Sequence, residues 1–302
     1  LATIVTDAPL EFDPEQNRRR AFKPELYDLF LKLEFSKLID KYHLRPASQP
    51  EEKAECHAEA ERVTEGKRAE ELLSLWRRAE QVTVYGLPDL SALVVECWTG
   101  TEKCLAAELY SDCYSGDWNG LLKALFSGDI RKVGHNIKDM MGAALEQGLP
   151  IDGFVADTAL AAYLVDATAG SYDLARLFVT YFNEELPKPV HLEKDAFSLL
   201  GDRAAAEAAL LSYTSAVTAL REVLEKKVQA MGMEELYRQV ELPLCAVLAR
   251  MEQRGFLVDA GALYRFGEML AGEMDALETR IYSEAGQRCN VSSPRQLCSV
   301  LF

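Results

Sequence analysis
The segment VTVYGLPDLSALVVECWTGTEKCLAAEL, residues 82–109, holds three β-prone runs in succession: Val82–Leu87, Ala92–Trp98 and Cys104–Leu109. Branched and aromatic side chains recur in these runs, as a half-buried pleated surface favours. Gly100 lies in the stretch Thr99–Lys103 between the last two, so strand-turn-strand is the natural reading. Around them the apolar period changes. Lys67–Glu80 carries Leu72, Leu73, Leu75 and Trp76 at helical spacing, and further helices are predicted at Trp118–Phe126, Ile137–Gln147, Asp157–Val165, Leu174–Phe182 and Asp202–Met231. A short buried strand is predicted at Lys132–Gly134. Three strands in hairpin order, followed by helices and another strand, predict an α/β fold with a mixed sheet flanked by helices on both faces.

The flanks read differently. Residues 1–24 are polar and proline-punctuated, with one β-prone run at Ala2–Thr6, and Pro24–Leu44 reads as a small helical hairpin with Ser36 as a cap. Residues 45–62 are dense in charge and alanine, which reads as a linker, partly helical at most. After Gly232 come a helix Glu234–Arg254, the extended FLVD of Phe256–Asp259 and a long helix Gly261–Ala285. Ser292 or Ser293 then caps a last helix that the chain end interrupts, so a piece of a longer protein is expected.

A length of 302 residues allows about two domains, and 49% hydrophobic residues suffice for a sizeable core. The absence of about 18 consecutive apolar residues, and of a basic, apolar leader, predicts a soluble intracellular chain. Seven cysteines, without a CxxC pair or histidine at ligand spacing, read as reduced thiols. The net charge of −15 disfavours nucleic acid as a partner on charge alone, so such a reading must come from particular residues.

Those residues lie at both ends. LATIVTDAPLEF and LYDLFLKLEFSKLI resemble the end of the 5′-nuclease domain of the bacterial DNA polymerase I family (family A polymerases). LYRQVELPLCAVLARMEQRGFLVD and CNVSSPRQLCSVLF resemble the root and first helices of that family's thumb, and KVGHNIKD, ADTALAAYL and YDLARL support the match between them. The resemblance implies three parts: 1–61 as the 5′-nuclease tail plus linker, 62–232 as a 3′-5′ exonuclease-like domain of ribonuclease-H-like fold, and 233–302 as the start of the thumb. It further implies a role in DNA replication and repair, DNA as a partner through the full-length polymerase, and a bacterial cytoplasmic monomer without membrane contact. The palm and fingers would lie beyond residue 302, so this chain is not expected to polymerise alone.

Proofreading exonucleases of this type use two divalent metals held by converging carboxylates. Carried over from the family, the positions of the first Asp-x-Glu pair fall on Tyr85 and Leu87, and that of the Asp four residues after Asn136 falls on Met140. The Tyr-x-x-x-Asp pair falls on Arg203 and Glu207. One carboxylate in four would hold a metal too poorly to activate water. The expectation is therefore a vestigial exonuclease site with no catalytic residue, metal or cofactor, Mg²⁺ being needed only at the polymerase site outside this chain. Asp139, one position early, is expected to turn away from the cleft.

Two other readings stay open: an active exonuclease using Asp89, Asp139 and Glu207, and a module that binds single-stranded DNA or a protein without cleaving it. Asp157 reads as an N-cap and His135 as a structural histidine, while His43, His57 and His191 receive no role. Arg18–Arg20 read as solvated, and Tyr163, Tyr172, Tyr181 and Phe182 as core. In the thumb part, seven arginines face ten carboxylates, leaving Arg288 and Arg295 as candidate DNA contacts.

Overall fold
A computed structural model describes residues 25–32, 35, 38, 41–42, 58–98, 104–198 and 201–301. Its central sheet has the order β1-β4-β3-β2-β5-β6. The strands are β1 (Ala58–Val63), β2 (Val82–Gly86), β3 (Ala92–Trp98), β4 (Cys104–Tyr110), β5 (Lys132–Gly134) and β6 (Phe154–Asp157). Strands β2, β3 and β4 pair antiparallel, whereas β1 joins β4, and β5 joins β2 and β6, in parallel. Ala92 through Cys97 of β3 are all buried, the near-continuous apolar run expected of a strand covered on both faces.

The helices of the sheet-bearing part are α1 (Glu25–Lys32), α2 (Gly66–Arg78), α3 (Trp118–Leu125), α4 (Ile137–Glu146), α5 (Thr158–Val165), α6 (Leu174–Phe182) and α7 (Arg203–Ala230). Helix α2 buries Ala69, Leu72, Leu73 and Trp76, a single stripe at i, i+3, i+4 and i+7, and ends in Arg77 and Arg78, which suit its negative C-terminal pole. Asp117 caps α3 by accepting from Gly120 N at 3.0 Å, and Asp202 caps α7 by accepting from Ala205 N at 3.1 Å. The 28-residue α7 packs across β2 and β3 and beside α5 and α6. A single turn, Glu234–Leu236, then leads through a π-helical stretch, Tyr237–Glu241, into α8 (Leu242–Arg254), so the helix predicted for this stretch has a wide turn inside it.

Two strands escape the sequence reading. The segment read as linker ends in β1, an edge strand whose backbone pairs with β4 from Ala58↔Cys104 to Val63↔Leu109. Its AEAERV sequence carries charge on an edge, where only one side needs a partner strand. The four residues of β6 run directly into α5. The Ala2–Thr6 run, Arg18–Arg20, Ser36, His43, His57 and the Thr99–Lys103 turn lie outside the described residues.

The chain divides into two compact units, Leu1–Gln253 and Arg254–Phe302. In the second, α9 (Ala260–Ala285) starts at Asp259, which accepts from Ala262 N at 2.9 Å, and stops at Gly286 with φ 67°. The last helix is α10 (Pro294–Leu301), with Ser293 before it.

One polar cluster lies inside the first unit. Glu96 of β3, 2% exposed, accepts from Thr218 Oγ1 at 2.6 Å and from the Ser215 hydroxyl, both on α7. Thr218 Oγ1 also bonds Thr83 Oγ1 at 2.9 Å, on the residue paired with Glu96 across β2 and β3. Burial pushes the Glu96 carboxyl above its ordinary range, against the pull of Ser215 and Thr218. The folded chain therefore holds this proton more tightly than the unfolded chain, and stability is lost as pH rises above the ordinary carboxylate range. Urea denaturation from about pH 5 to about pH 9 is expected to show that decline, and a flatter profile in Glu96→Gln.

Candidate functional site
A cleft of about 570 Å³ opens at the end of β2, between the start of α4, the start of α6 and the middle of α7. Tyr85 lines it from β2, Leu87 from just past the end of that strand, and Met140 from α4. Tyr213, from α7, stacks on Tyr85 with ring centroids 5.9 Å apart and planes at 28°. Gly86 sits between Tyr85 and Leu87, where a Cβ would come within 2.4 Å of Leu93 Cδ2 and 2.7 Å of Ala92 O, so any side chain here would push β2 off β3.

Behind the two tyrosines lies His191, 1% exposed. Its ring meets Tyr213 edge-on at 4.6 Å, and Nε2 lies 3.4 Å from the Tyr85 hydroxyl. Its Nδ1 has no hydrogen-bond partner among the described residues. Burial alone lowers its pKa to about 4, so the ring is neutral at pH 7. His135, at the other wall, pairs Nδ1 with Thr158 Oγ1 at 2.8 Å, and desolvation lowers its pKa against the pull of Asp157 and Asp173.

Among the described residues the carboxylates do not converge. Asp139 borders the cleft rather than turning away from it, because the first turn of α4 forms the cleft mouth. Its oxygens are engaged by Asn136 Nδ2 at 2.5 Å and Lys138 Nζ at 3.4 Å. Asp173, which the sequence reading passed over, lines the same cleft and accepts from the Ser171 hydroxyl at 2.5 Å. Asp89 serves its own turn, accepting from Ser91 N at 3.0 Å and Ser91 Oγ at 2.6 Å. That turn holds Leu90 at φ 58° with its side chain buried. Among the described residues no group of three or more His, Cys, Asp or Glu side chains could hold a metal ion. The donor set thus does not fit the metal pair of this exonuclease type.

Arg203 and Glu207 lie elsewhere, over β1 and β4. Arg203 grips Asp112 with Nη1 at 2.5 Å and Nη2 at 3.1 Å, and Glu207 with Nε at 2.7 Å. Glu207 also bonds Arg62 of β1, whose Nε lies 3.7 Å from Glu108 of β4. Both guanidinium groups sit 5.2 Å from the centre of the Tyr110 ring. Donating to Asp112 and Glu207 raises the Arg203 pKa further, so its charge is fixed. Strand β3 separates β4 from β2, which puts this cluster about 10 Å or more across the sheet from Tyr85 and Leu87. In the sequence, 203, 207, 210 and 214 fall on one helical stripe, but the stripe does not say which of its turns reaches the cleft. Tyr213 lies six residues beyond Glu207, about 9 Å along α7.

Asp157 is indeed a cap, and more than one. Its Oδ1 accepts from Ala159 N at 2.8 Å and Leu160 N at 3.3 Å at the start of α5, and from Asn136 N at 3.0 Å. Its Oδ2 accepts from Ile137 N, the first residue of α4, at 2.8 Å. In the second unit, Arg288 lies 6.0 Å from the Tyr282 ring centre, and Arg295 is exposed in the first turn of α10.

No protein-family model matches the chain. Over its whole length it is 27% identical to DNA polymerase I of Caldicellulosiruptor bescii across 306 residues, and 28% identical to that of Mycobacterium bovis across 321. The DNA polymerase I of Geobacillus stearothermophilus is 33% identical over 157 residues, 52% of this chain and 18% of that protein. The chain spans 32% and 34% of the two relatives that it matches throughout, so it corresponds to about a third of their length. Among solved structures, the POL domain of Pol1 from M. smegmatis, in complex with DNA primer-template and dNTP, matches with a TM-score of 0.63 at 26% identity, covering 81% of this chain and 40% of that one. RNase D of Escherichia coli, an exoribonuclease involved in structured RNA processing, matches with a TM-score of 0.50 at 17% identity over 64% of this chain and 51% of that one, a likeness of fold alone. The mixed sheet thus shares its fold with RNase D, and over its whole length the chain is similar to part of bacterial DNA polymerase I.

Since His191 is neutral down to about pH 4 in the folded chain, whereas an unfolded histidine takes a proton near 6.5, stability is lost as pH falls through that window. Denaturation midpoints measured at about pH 7 and about pH 5 are expected to differ less in His191→Phe than in the wild type.

Proposed function
We propose that this chain is a part of a bacterial DNA polymerase I acting in replication and repair, and that its exonuclease-like domain is catalytically silent. In that reading the domain is a spacer that orients the 5′-nuclease and polymerase parts. The observation that carries the loss of activity is the lining of the cleft: tyrosine, leucine and methionine stand at Tyr85, Leu87 and Met140, where a two-metal nuclease needs carboxylate oxygens. Asp139 and Asp173 are the acidic side chains along that lining, too few to strip a divalent ion of most of its water.

The rest of the reading follows the likeness to the relatives. Residues 1–61 would be the tail of the 5′-nuclease part with its linker, and 233–302 the start of the thumb. DNA would be met through the full-length polymerase, with Arg288 and Arg295 as thumb contacts and Mg²⁺ required only at the polymerase site. The protein would work as a monomer in the bacterial cytoplasm. Among the described residues, no helix is long and apolar enough to cross a membrane.

The test is degradation of a 5′-labelled single-stranded oligonucleotide by the purified chain with Mg²⁺ or Mn²⁺, beside an EDTA control and Asp139→Ala. No shortening by a chain shown to be folded is the expected result. Metal-dependent shortening that Asp139→Ala abolishes would establish a working exonuclease and sink the spacer reading.

A further inference from the structure
Helix α4 has the cleft on one side and α8 on the other. Asn136, Asp139 and Met140 border the cleft, while Lys138 Nζ reaches both carboxylate oxygens of Glu252 at 2.8 Å. At the far end of α4, Leu145 O accepts from Gln253 Nε2 at 2.9 Å, so both ends of α4 hold the last turn of α8. These straps are on the surface: the Lys138 and Glu252 side chains are 31% and 62% exposed, and such ion pairs are weak.

The stronger tie is at the other end of α8. Tyr237, 2% exposed, opens the π-helical stretch that leads into α8. Its hydroxyl accepts from Asp157 N at 2.7 Å and donates to Asp157 O at 2.9 Å, so it satisfies both main-chain groups of one buried residue. The carboxylate of that residue, 3% exposed, holds the first amides of α4 and α5. A chain of hydrogen bonds therefore runs from Asn136, which lines the cleft, and from the buried Ile137 beside it, through Asp157, to the root of α8. The wide turn of a π-helical stretch commonly marks a place where a side chain has been set for a specific task.

We propose that Tyr237 is a latch that makes the cleft helix α4 and helix α8 one cooperative opening unit, so that a change at the cleft mouth is felt at α8 and the reverse. The coupling rests on this buried geometry and holds whether or not the cleft cleaves nucleic acid.

Native-state hydrogen exchange on the whole chain in increasing urea reads this directly, because segments that open together share one opening free energy and one denaturant slope. Amides of 137–146 and 242–253 are expected to merge on one isotherm that lies below that of the β3 amides. In Tyr237→Phe the two are expected to separate, with 242–253 exchanging at least roughly fivefold faster, the scale of one lost hydrogen bond. Lys138→Ala is expected to leave them merged. Separate isotherms in the wild type would overturn the proposal, as would both segments coinciding with β3, and neither result needs the variant to fold. Isotherms that stay merged in a folded Tyr237→Phe would equally overturn the role given to Tyr237.

Discussion
The fold turns on one carboxylate. Asp157 stands at the end of β6, and its two oxygens take four backbone N–H groups from the starts of α4 and α5. Helix starts leave their first amides without intrahelical partners, and burying such groups unpaired is unfavourable. A single buried anion resolves the problem for two helices, and its negative charge suits the positive pole of each. Because β6 pairs with β5, and β5 with β2, the same residue also fixes where the helices sit relative to the strand that carries Tyr85 and leads into Leu87.

Much of this was legible in the sequence, and the reasons differ by element. The apolar run Ala92–Trp98 gave the central strand its bounds, and Leu174–Phe182 gave α6 its own, because burial on a regular face leaves a periodic trace. Strand β1 left none: an edge strand bonded on one side tolerates AEAERV, which reads equally as linker. Strand β6 was too short to show a period before α5 begins. Asp157 was legible as a cap for α5, since Asx residues before an apolar helix announce themselves, but its reach to α4, twenty residues earlier, was not.

The cleft shows the same divide. Tyr85, Leu87 and Met140 meet there, since short range along β2 and α4 suffices to place them. Arg203 and Glu207 do not, because the rotation of a long helix is written in its apolar stripe whereas its axial position over the sheet is set by caps and loops at its ends. Tyr213 is the residue that this ambiguity concealed. What fills the cleft is aromatic stacking with a neutral histidine behind it, a packed apolar wall in place of a polar one.

The π-helical stretch at Tyr237–Glu241 has a consequence for comparing chains of this kind. Such a stretch is a length difference of one residue hidden inside an unbroken helix, where alignments ordinarily admit no gap. A relative with a regular helix here would lack that residue. Aligning the two without a gap shifts every later position by one, about 100° around the helix axis. The buried face of α8, Leu242, Cys245 and Ala249, would then be matched to side chains that point to solvent, and family resemblance would appear to fade where only the count of residues has changed.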